Sequence, residues 1–400
     1  MSAEPYKEDA DRPDTPRWKY GVMAGLACGC AAATSFGLNA PLFALKLDDQ
    51  GVAEAIVGLL VTVSGVAALT ATPLVPWLMG RFAVKAILGA SLAMLALTFL
   101  IYPIANDAVS LTALRFVFAA TTTLLYVASE AWFLELTPVR FRGRLLGAYA
   151  TVFAGGFGIG GLVIAWFGHT GFAPALAAAT IMAVAGLFLL IPAPSATKPE
   201  GAAAKPSALW SRFLVAPAIF IAPFAMGAIE TAAFNLFPLW TRRVGFPDEA
   251  AGYLIFAAAL GNVVLQAPIG LLAEKIGRER VLVGVSLIGI IGPYFMAIAT
   301  SPMQVYAAAF VWSGCVTAFY VLGLIGLAQR FPAKELAAGN AAFASAYGVG
   351  QLVSPAMAGG AMGVIGPSGL MWFMAAVAVV PLVALLLEMA AQRRKQRPSG

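Results

Sequence analysis

Charge is scarce in this 400-residue sequence: only 11% of the residues are Asp, Glu, Lys or Arg, against about 25% in an ordinary soluble domain. A soluble globular chain is thereby excluded. Histidine occurs once, at His169, and cysteine three times, at Cys28, Cys30 and Cys315. All three cysteines lie in apolar runs with no histidine at metal-ligand spacing, so we read them as buried, inert thiols and expect no metal or other cofactor. No glycine-rich loop ending in Lys-Ser or Lys-Thr is present, which removes nucleotide hydrolysis as an energy source. Neither a serine–histidine pair nor a carboxylate pair in one plane appears, so an enzyme is not expected. Residues 1–19 are polar, mixed in charge and proline-containing, unlike the basic start of a signal peptide, and are expected to form an uncleaved, disordered tail.

What the chain has in abundance is apolar length. Sixty per cent of its residues are hydrophobic, and apolar runs of about 20 residues are the unit of membrane crossing. Twelve such runs are expected: 20–46, 55–79, one ending near 102, 110–136, one reaching 167, one ending near 191, 213–240, 250–273, 281–300, 304–328, 336–363 and 369–389. Residues 192–212 break the pattern with prolines, small residues, Lys198, Lys205 and Arg212, and read as a linker between two bundles, 20–191 and 213–389. Residues 390–400 form a basic tail. The sequence thus predicts an all-α integral membrane protein of twelve transmembrane helices in two six-helix pseudo-repeats.

Orientation follows from the basic residues. All but four of the 25 lysines and arginines fall in the two tails, the linker and the even-numbered turns. The exceptions are Arg115, inside the fourth run, and Lys46, Arg242 and Arg243 on the other side. Both termini are therefore expected to be cytoplasmic. The net charge of +6 is then accounted for by topology and anionic lipid headgroups, with no nucleic acid as partner.

The halves also echo each other. Pro73, Lys85 and Gly89 match Pro268, Arg280 and Gly284 at a spacing of 195 residues, and Tyr126 and Pro138 match Tyr320 and Pro332 at 194. Phe157-Gly158-Ile159-Gly160 matches Tyr347-Gly348-Val349-Gly350 at 190. A duplicated six-helix unit is the sequence mark of a transporter built from repeats.

The stretch Gly270-Leu271-Leu272-Ala273-Glu274-Lys275-Ile276-Gly277-Arg278-Glu279-Arg280 resembles the loop motif of the major facilitator superfamily. Arg115, four residues after Leu111, resembles the membrane-embedded arginine of that superfamily's fourth helix, with Phe118 and Ala119 where glutamine and glycine commonly follow. Ser129-Glu130-Ala131-Trp132 and the run from Arg142 to Tyr149 look like a poorly characterised bacterial branch, drug-antiporter-like in part. The first-half copy of the loop motif has Met79 in the acidic position, and the fifth run has Gly155, Gly156, Gly158, Gly160 and Gly161 without the proline of the drug-antiporter motif. The resemblance implies the major facilitator fold, a monomer in a bacterial inner membrane, and a central cavity lined by the first, fourth, seventh and tenth helices.

Two carboxylates stand in apolar runs, Glu130 and Glu230. An ionised side chain at mid-bilayer costs roughly 2.5 to 3.5 kcal/mol on insertion scales, so each is a candidate proton carrier. The other readings are a structural hydrogen bond or a cytoplasmic-side ion pair with a loop arginine for Glu130, and an outer-surface contact with Arg242 and Arg243 for Glu230. Arg115 precedes Glu130 by 15 residues, about 22 Å along a helix axis, so the two can share a cavity without pairing. Arg115 reads either as a substrate or coupling group or as a tether to a neighbouring helix. The implied cavity would bring Glu230 toward Arg115 from the opposite half.

Asn39 and Asn235 hold near-equivalent repeat positions, each shortly before a proline, and read as substrate contacts or as helix–helix bonds. Tyr126, Trp132 and Tyr320 are candidate cavity aromatics, whereas Trp240 reads as an interface anchor. Asn262, Gln266 and Gln351 read as packing polar groups. Arg142, Arg144, Gly270, Glu274, Arg278 and Arg280 are candidates for a loop latch that stabilises the outward-open state.

The leading expectation is a secondary active transporter that exports a small organic solute by alternating access with protons as coupling ion. Import or uniport of an organic anion through Arg115 is the second reading. A non-transporting membrane sensor or scaffold is a third, although neither tails nor linker are large enough to signal.

Overall fold

The computed structural model describes residues 17–194, 217–330 and 333–396. Twelve principal helices fill it: α1 (Arg17–Asp49), α2 (Glu54–Ala71), α3 (Val84–Ile101), α4 (Ala108–Leu136), α5 (Arg142–Phe167), α6 (Ala173–Leu189), α7 (Pro217–Arg243), α8 (Glu249–Ile276), α9 (Arg278–Ile298), α10 (Pro302–Arg330), α11 (Ala333–Ile365) and α12 (Ser368–Gln396). Apolar runs of this length become helices because hydrocarbon offers no partner to a free N–H or C=O, and only intrahelical bonding satisfies both. Eleven of the helices are long and apolar enough to cross a membrane, and α6 is a shorter apolar helix of 17 residues. The fold is that of an all-α membrane protein with two six-helix repeats.

Three boundaries differ from the sequence reading. The second run does not continue unbroken to 79: α2 stops at Ala71, and a separate short helix, Leu74–Arg81, begins after Pro73. Proline lacks the N–H that a continuing helix requires there. At the other end α12 remains helical through Gln396, so Arg393, Arg394 and Lys395 sit on its last turns and do not form a separate tail. Helix α1 already begins at Arg17. The expected disordered stretch 1–16 and most of the 192–212 linker lie outside the described residues.

With twelve crossings the start of α1 and the end of α12 lie on one face, which we call the terminal face; the other is the distal face. Within the first half, α1 packs on α4 and α5, and α3 on α4 and α6; in the second, α7 packs on α10 and α11, and α8 on α10. The halves meet along α1–α7, α2–α11 and α5–α8, whereas α4 and α10 have no comparable packing against each other.

The closest approaches between halves fall toward the distal ends of the helices and depend on glycine. A Cβ on Gly161 of α5 would meet the Gly252 carbonyl oxygen of α8 at 2.6 Å. One on Gly359 of α11 would meet the Glu54 carbonyl oxygen of α2 at 2.5 Å and the Gly58 Cα at 3.1 Å. The glycines of α5 divide their labour: Gly156 and Gly160 lie against α1 of the same half, Gly158 and Gly161 against α8 of the other. Small residues at such seams let backbones touch, which is what helix association in lipid favours.

Candidate functional site

Helix α4 is positioned at its start by Asp107, whose carboxylate accepts the Ser110 backbone N–H at 2.8 Å. Its bonds with Ser110 hold that carboxyl below the usual range. Two turns further on, Arg115 enters the interior, only 4% exposed. Its Nε donates to Ser64 Oγ of α2 at 2.7 Å, and its two terminal nitrogens donate to Asn39 Oδ1 of α1 at 3.3 Å and Asn235 Oδ1 of α7 at 2.5 Å. The guanidinium also lies over the Phe43 ring, 4.1 Å from its centroid. Asn235 is oriented by its own amide, which donates to the Thr231 carbonyl at 2.8 Å. Three sequence candidates thus converge, and the arginine links both halves.

No carboxylate pairs with Arg115 among the described residues, which corrects the expectation that Glu230 would approach it. Glu230 instead accepts a hydrogen bond at Oε2 from Tyr347 Oη of α11, at 2.5 Å. Tyr347 in turn accepts from Gln351 Nε2 at 3.0 Å. Helical pitch explains the difference: Asn235 follows Glu230 by more than a full turn toward the distal end, at the level of Arg115.

Tyr320 of α10 ties this group to the first half. Its ring packs edge-on against Tyr347 at 5.6 Å, and it lies close enough to interact electrostatically with both Glu230 and Glu130. Glu130 also faces Tyr126 and Tyr149. Glu130, Glu230, Tyr126, Tyr320 and Tyr347 are each half-buried although they lie well inside the bundle. Aromatic contacts continue the lining from Tyr126 to Phe153 at 5.0 Å and from Phe157 across to Phe234 of α7 at 5.0 Å. Trp132 does not join this surface: it is fully buried, and its Nε1 donates to the Pro194 carbonyl at 3.1 Å. Trp240 is likewise core, 1% exposed and packed on Phe237 and Phe246, and is not an interface anchor.

At the distal face a network of ions joins the halves. Arg242, at the end of α7, donates to Asp48 at 2.8 Å, to Asp49 at 2.7 Å and to Asp248 at 2.8 and 3.0 Å. Arg243 donates to Glu54 at 2.7 Å and pairs with Asp48, whose side chain is only 6% exposed. His169 Nε2 lies 2.9 Å from Asp49 and its Nδ1 3.5 Å from Asp248. Arg242 holds the Asp248 carboxyl below its ordinary range. Of these residues the sequence marked Arg242 and Arg243, two arginines on the side otherwise poor in basic residues, and the lone His169. That imbalance was the signal: a distal arginine needs a local reason, and here the reason is carboxylates from the other half. Lys46, the remaining exception, caps the end of α3 by donating to the carbonyls of Tyr102 at 2.6 Å and Pro103 at 3.0 Å.

The terminal face shows no such closure among the described residues. Arg144, Glu274 and Arg280 are exposed, and Arg280 donates to the Ile276 carbonyl of its own turn, at 3.4 Å. Arg278 turns inward and donates to the Leu322 carbonyl of α10 at 2.7 Å. Gly270 lies inside α8 with open space beside it, while Gly277 makes the left-handed turn to α9 with φ of 94°. The side chain of Arg142 lies outside the described residues. Among the described residues, the other latch candidates make no contact with one another across the halves. The structure is closed distally.

Twelve crossings in two related halves, with buried ionisable groups where the halves meet, define a membrane transporter. The chain belongs to the Major Facilitator Superfamily: the family's sequence model matches residues 25–258 and 219–400. It is a transporter and not an enzyme. Among its relatives is the uncharacterized MFS-type transporter YfkF of Bacillus subtilis (strain 168), 24% identical over 362 residues that span 88% of this chain and 91% of the relative. The uncharacterized MFS-type transporter YcaD of Escherichia fergusonii is 24% identical over 68% of this chain and 70% of its own. Of solved structures, the nucleoside transporter NupG superposes with a TM-score of 0.74 at 11% identity, covering 94% of this chain and 99% of NupG. A bacterial homolog of the human lysosomal transporter Spinster, in an inward-facing and unoccupied conformation, superposes with a TM-score of 0.69 at 14% identity, covering 95% of this chain and 98% of the homolog. At these identities the likeness shows the fold alone.

Proposed function

We propose that the protein is a proton-coupled secondary transporter of a small organic solute, working by alternating access in a bacterial inner membrane with both termini cytoplasmic. The observation that carries this reading is one carboxylate from each half, Glu130 and Glu230, both half-buried and both near enough to Tyr320 of α10 to interact with it electrostatically. A carboxyl at such depth exchanges its proton with whichever face the space between the halves is open to. In the proposed orientation the distally closed structure is inward-facing, with Glu130 and Glu230 addressed from the cytoplasm and the aromatic surface of Tyr126, Phe153, Tyr320 and Tyr347 available to the solute. Export is the direction we favour, with the solute loaded from this state and released distally. We propose the first six helices and the last six as the two moving bodies, acting within one monomer.

Vesicles reconstituted with the purified chain test it. An imposed pH gradient should drive flux of a solute found by thermal-shift screening at two pH values, because a binder stabilises the folded state. Glu130→Gln and Glu230→Gln should abolish acid-driven flux while sparing exchange down a solute gradient; acid-driven flux untouched by both would end the reading. A second reading, transport of an organic anion, has its own support: Arg115 is buried with neutral oxygen partners only, and the Asn39 amide nitrogen beside it is buried without a partner among the described residues. Arg115→Lys should then raise the solute KM far more than it lowers acid-driven exchange.

A further inference from the structure

We infer that the solute is an organic cation with an aryl or alkyl body, held between the halves by Glu130, Glu230 and the tyrosines around them. The inference rests on the proposed transport reading and deepens it by naming the charge and character of the cargo. Glu130, Tyr126 and Tyr149 come from α4 and α5 of the first half; Glu230, Tyr320 and Tyr347 come from α7, α10 and α11 of the second. Tyr320 lies within electrostatic reach of both carboxylates. Tyr126 interacts in the same way with Glu130, Tyr149 and Tyr320, and Tyr347 with Glu230, Tyr126 and Tyr320. These side chains therefore form one cluster across the seam.

What the cluster lacks decides its ligand. Among the described residues neither carboxylate pairs with a lysine, arginine or histidine. Arg115 stands at the level of Asn235, about 7.5 Å along α7 from Glu230 and about 22 Å along α4 from Glu130, and it already donates to Ser64, Asn39 and Asn235. An anion entering the cluster would meet negative charge first. A sugar-like solute would need many hydrogen-bond partners, yet Tyr347 Oη is engaged by Glu230 and Gln351, and the adjoining surface is Phe153, Phe157, Phe234 and Phe343. A cation meets carboxylate charge together with aromatic rings, whose attraction for it grows once water is displaced. Tyr126, Tyr320 and Tyr347 are half-buried, so each keeps accessible ring surface. Charge balance then sets the exchange: a protonated glutamic acid that takes up the cation releases its proton, one positive charge replaces another, and no unpaired ion remains in the low-dielectric interior.

Equilibrium binding to the full purified chain, with empty micelles as blank, tests the class. The probes are tetraphenylphosphonium and benzyltrimethylammonium as cations and tetraphenylborate as an anion of matched shape. At least one cation should bind, release protons into weakly buffered solution, and bind more tightly as pH rises, by up to about tenfold per pH unit if one proton leaves per cation. Tetraphenylborate should not compete with it. At alkaline pH, Glu130→Gln and Glu230→Gln should each weaken binding at least about tenfold. Tyr320→Leu should weaken it about two- to thirtyfold, whereas Tyr320→Phe, which keeps the ring, should not; if a glutamine variant does not fold, the two Tyr320 variants decide. Neither cation binding above the blank, tetraphenylborate competing as well as a cation, or variants that all bind like the native chain would overturn the inference. Acid-driven flux of another solute alongside such a result removes the cation and leaves the transporter reading standing. Cation binding in protein that shows no acid-driven flux keeps the cation site and removes proton coupling.

Discussion

Asn39 and Asn235, at near-equivalent positions of the two repeats, present their side-chain oxygens to the same guanidinium, at 3.3 and 2.5 Å from Arg115. A pseudo-symmetric pair of amides thus grips a cation that has no symmetry mate, since Ala309 stands where a second arginine would fall. The grip spans the seam of the distally closed structure: α1 and α4 belong to one half, α7 to the other.

Asn235→Ala should loosen that state. Hydrogen bonds to charged groups contribute about 1.5 to 3 kcal/mol each, so the Tm should fall and a cysteine placed in the distal cleft should become more reactive. Unchanged labelling together with a lowered Tm would make Asn235 a packing residue only.

Removing both distal arginines, as Arg242→Gln with Arg243→Gln, takes away the pairs with Asp48, Asp49, Glu54 and Asp248. Part-exposed pairs contribute about 0.2 to 1 kcal/mol each. A combined shift of about 1 to 2 kcal/mol changes the open-to-closed ratio five- to thirtyfold. Double electron–electron resonance between distal labels on α1 and α7 should show the longer-distance population grow by that factor.

The Asp248 carboxyl titrates below the ordinary carboxylate range because Arg242 bonds its charged form. A group depressed in the folded state stabilises it above the unfolded pKa, and that contribution is lost as pH falls through the folded value. Native protein should therefore exceed Asp248→Asn in Tm at pH 6, and the gap should close below about pH 4. A gap that persists at low pH would show that shape, and not charge, is what Asp248 supplies.

Gly161→Val introduces a side chain where a Cβ already meets the Gly252 carbonyl at 2.6 Å. Helix α5 and α8 would have to part, so the distally open population should rise while Gly155→Val, which meets nothing, leaves it unchanged. Equal behaviour of the two variants in cysteine labelling would show that the seam is not limiting.

Tyr347→Phe removes the donor to Glu230 Oε2. If that bond serves coupling, its loss should change the pH dependence of acid-driven flux. A pH profile that overlays the native one would separate Tyr347 from coupling.

Much of this was legible before any coordinates, because hydrocarbon imposes the strongest local rule in protein structure: twelve apolar runs had to be helices. Arg115, Asn39 and Asn235 were legible for a related reason, since polar side chains in apolar runs face inward. Their mutual contact was not, because contact between helices depends on crossing geometry that periodicity does not encode. Tyr347 and Gln351 escaped notice as site residues because in sequence they read as repeat partner and packing amide; only the fold of α11 against α7 sets them beside Glu230. Trp132 went the other way, an aromatic on a cavity helix whose indole points into the bundle.

When the distal network comes apart, its members do not disperse. Asp48, Asp49 and Glu54 stay on one wall of the mouth with His169, and Arg242, Arg243 and Asp248 on the other. A vestibule opened by the proposed rocking of the halves would consequently be an electrical funnel with one acidic bank and one net basic bank. A molecule crossing it that bears separated opposite charges would be turned to a single orientation before it meets the aromatic interior, and at about 0.1 to 0.15 M salt that steering would reach no further than about 8 to 10 Å.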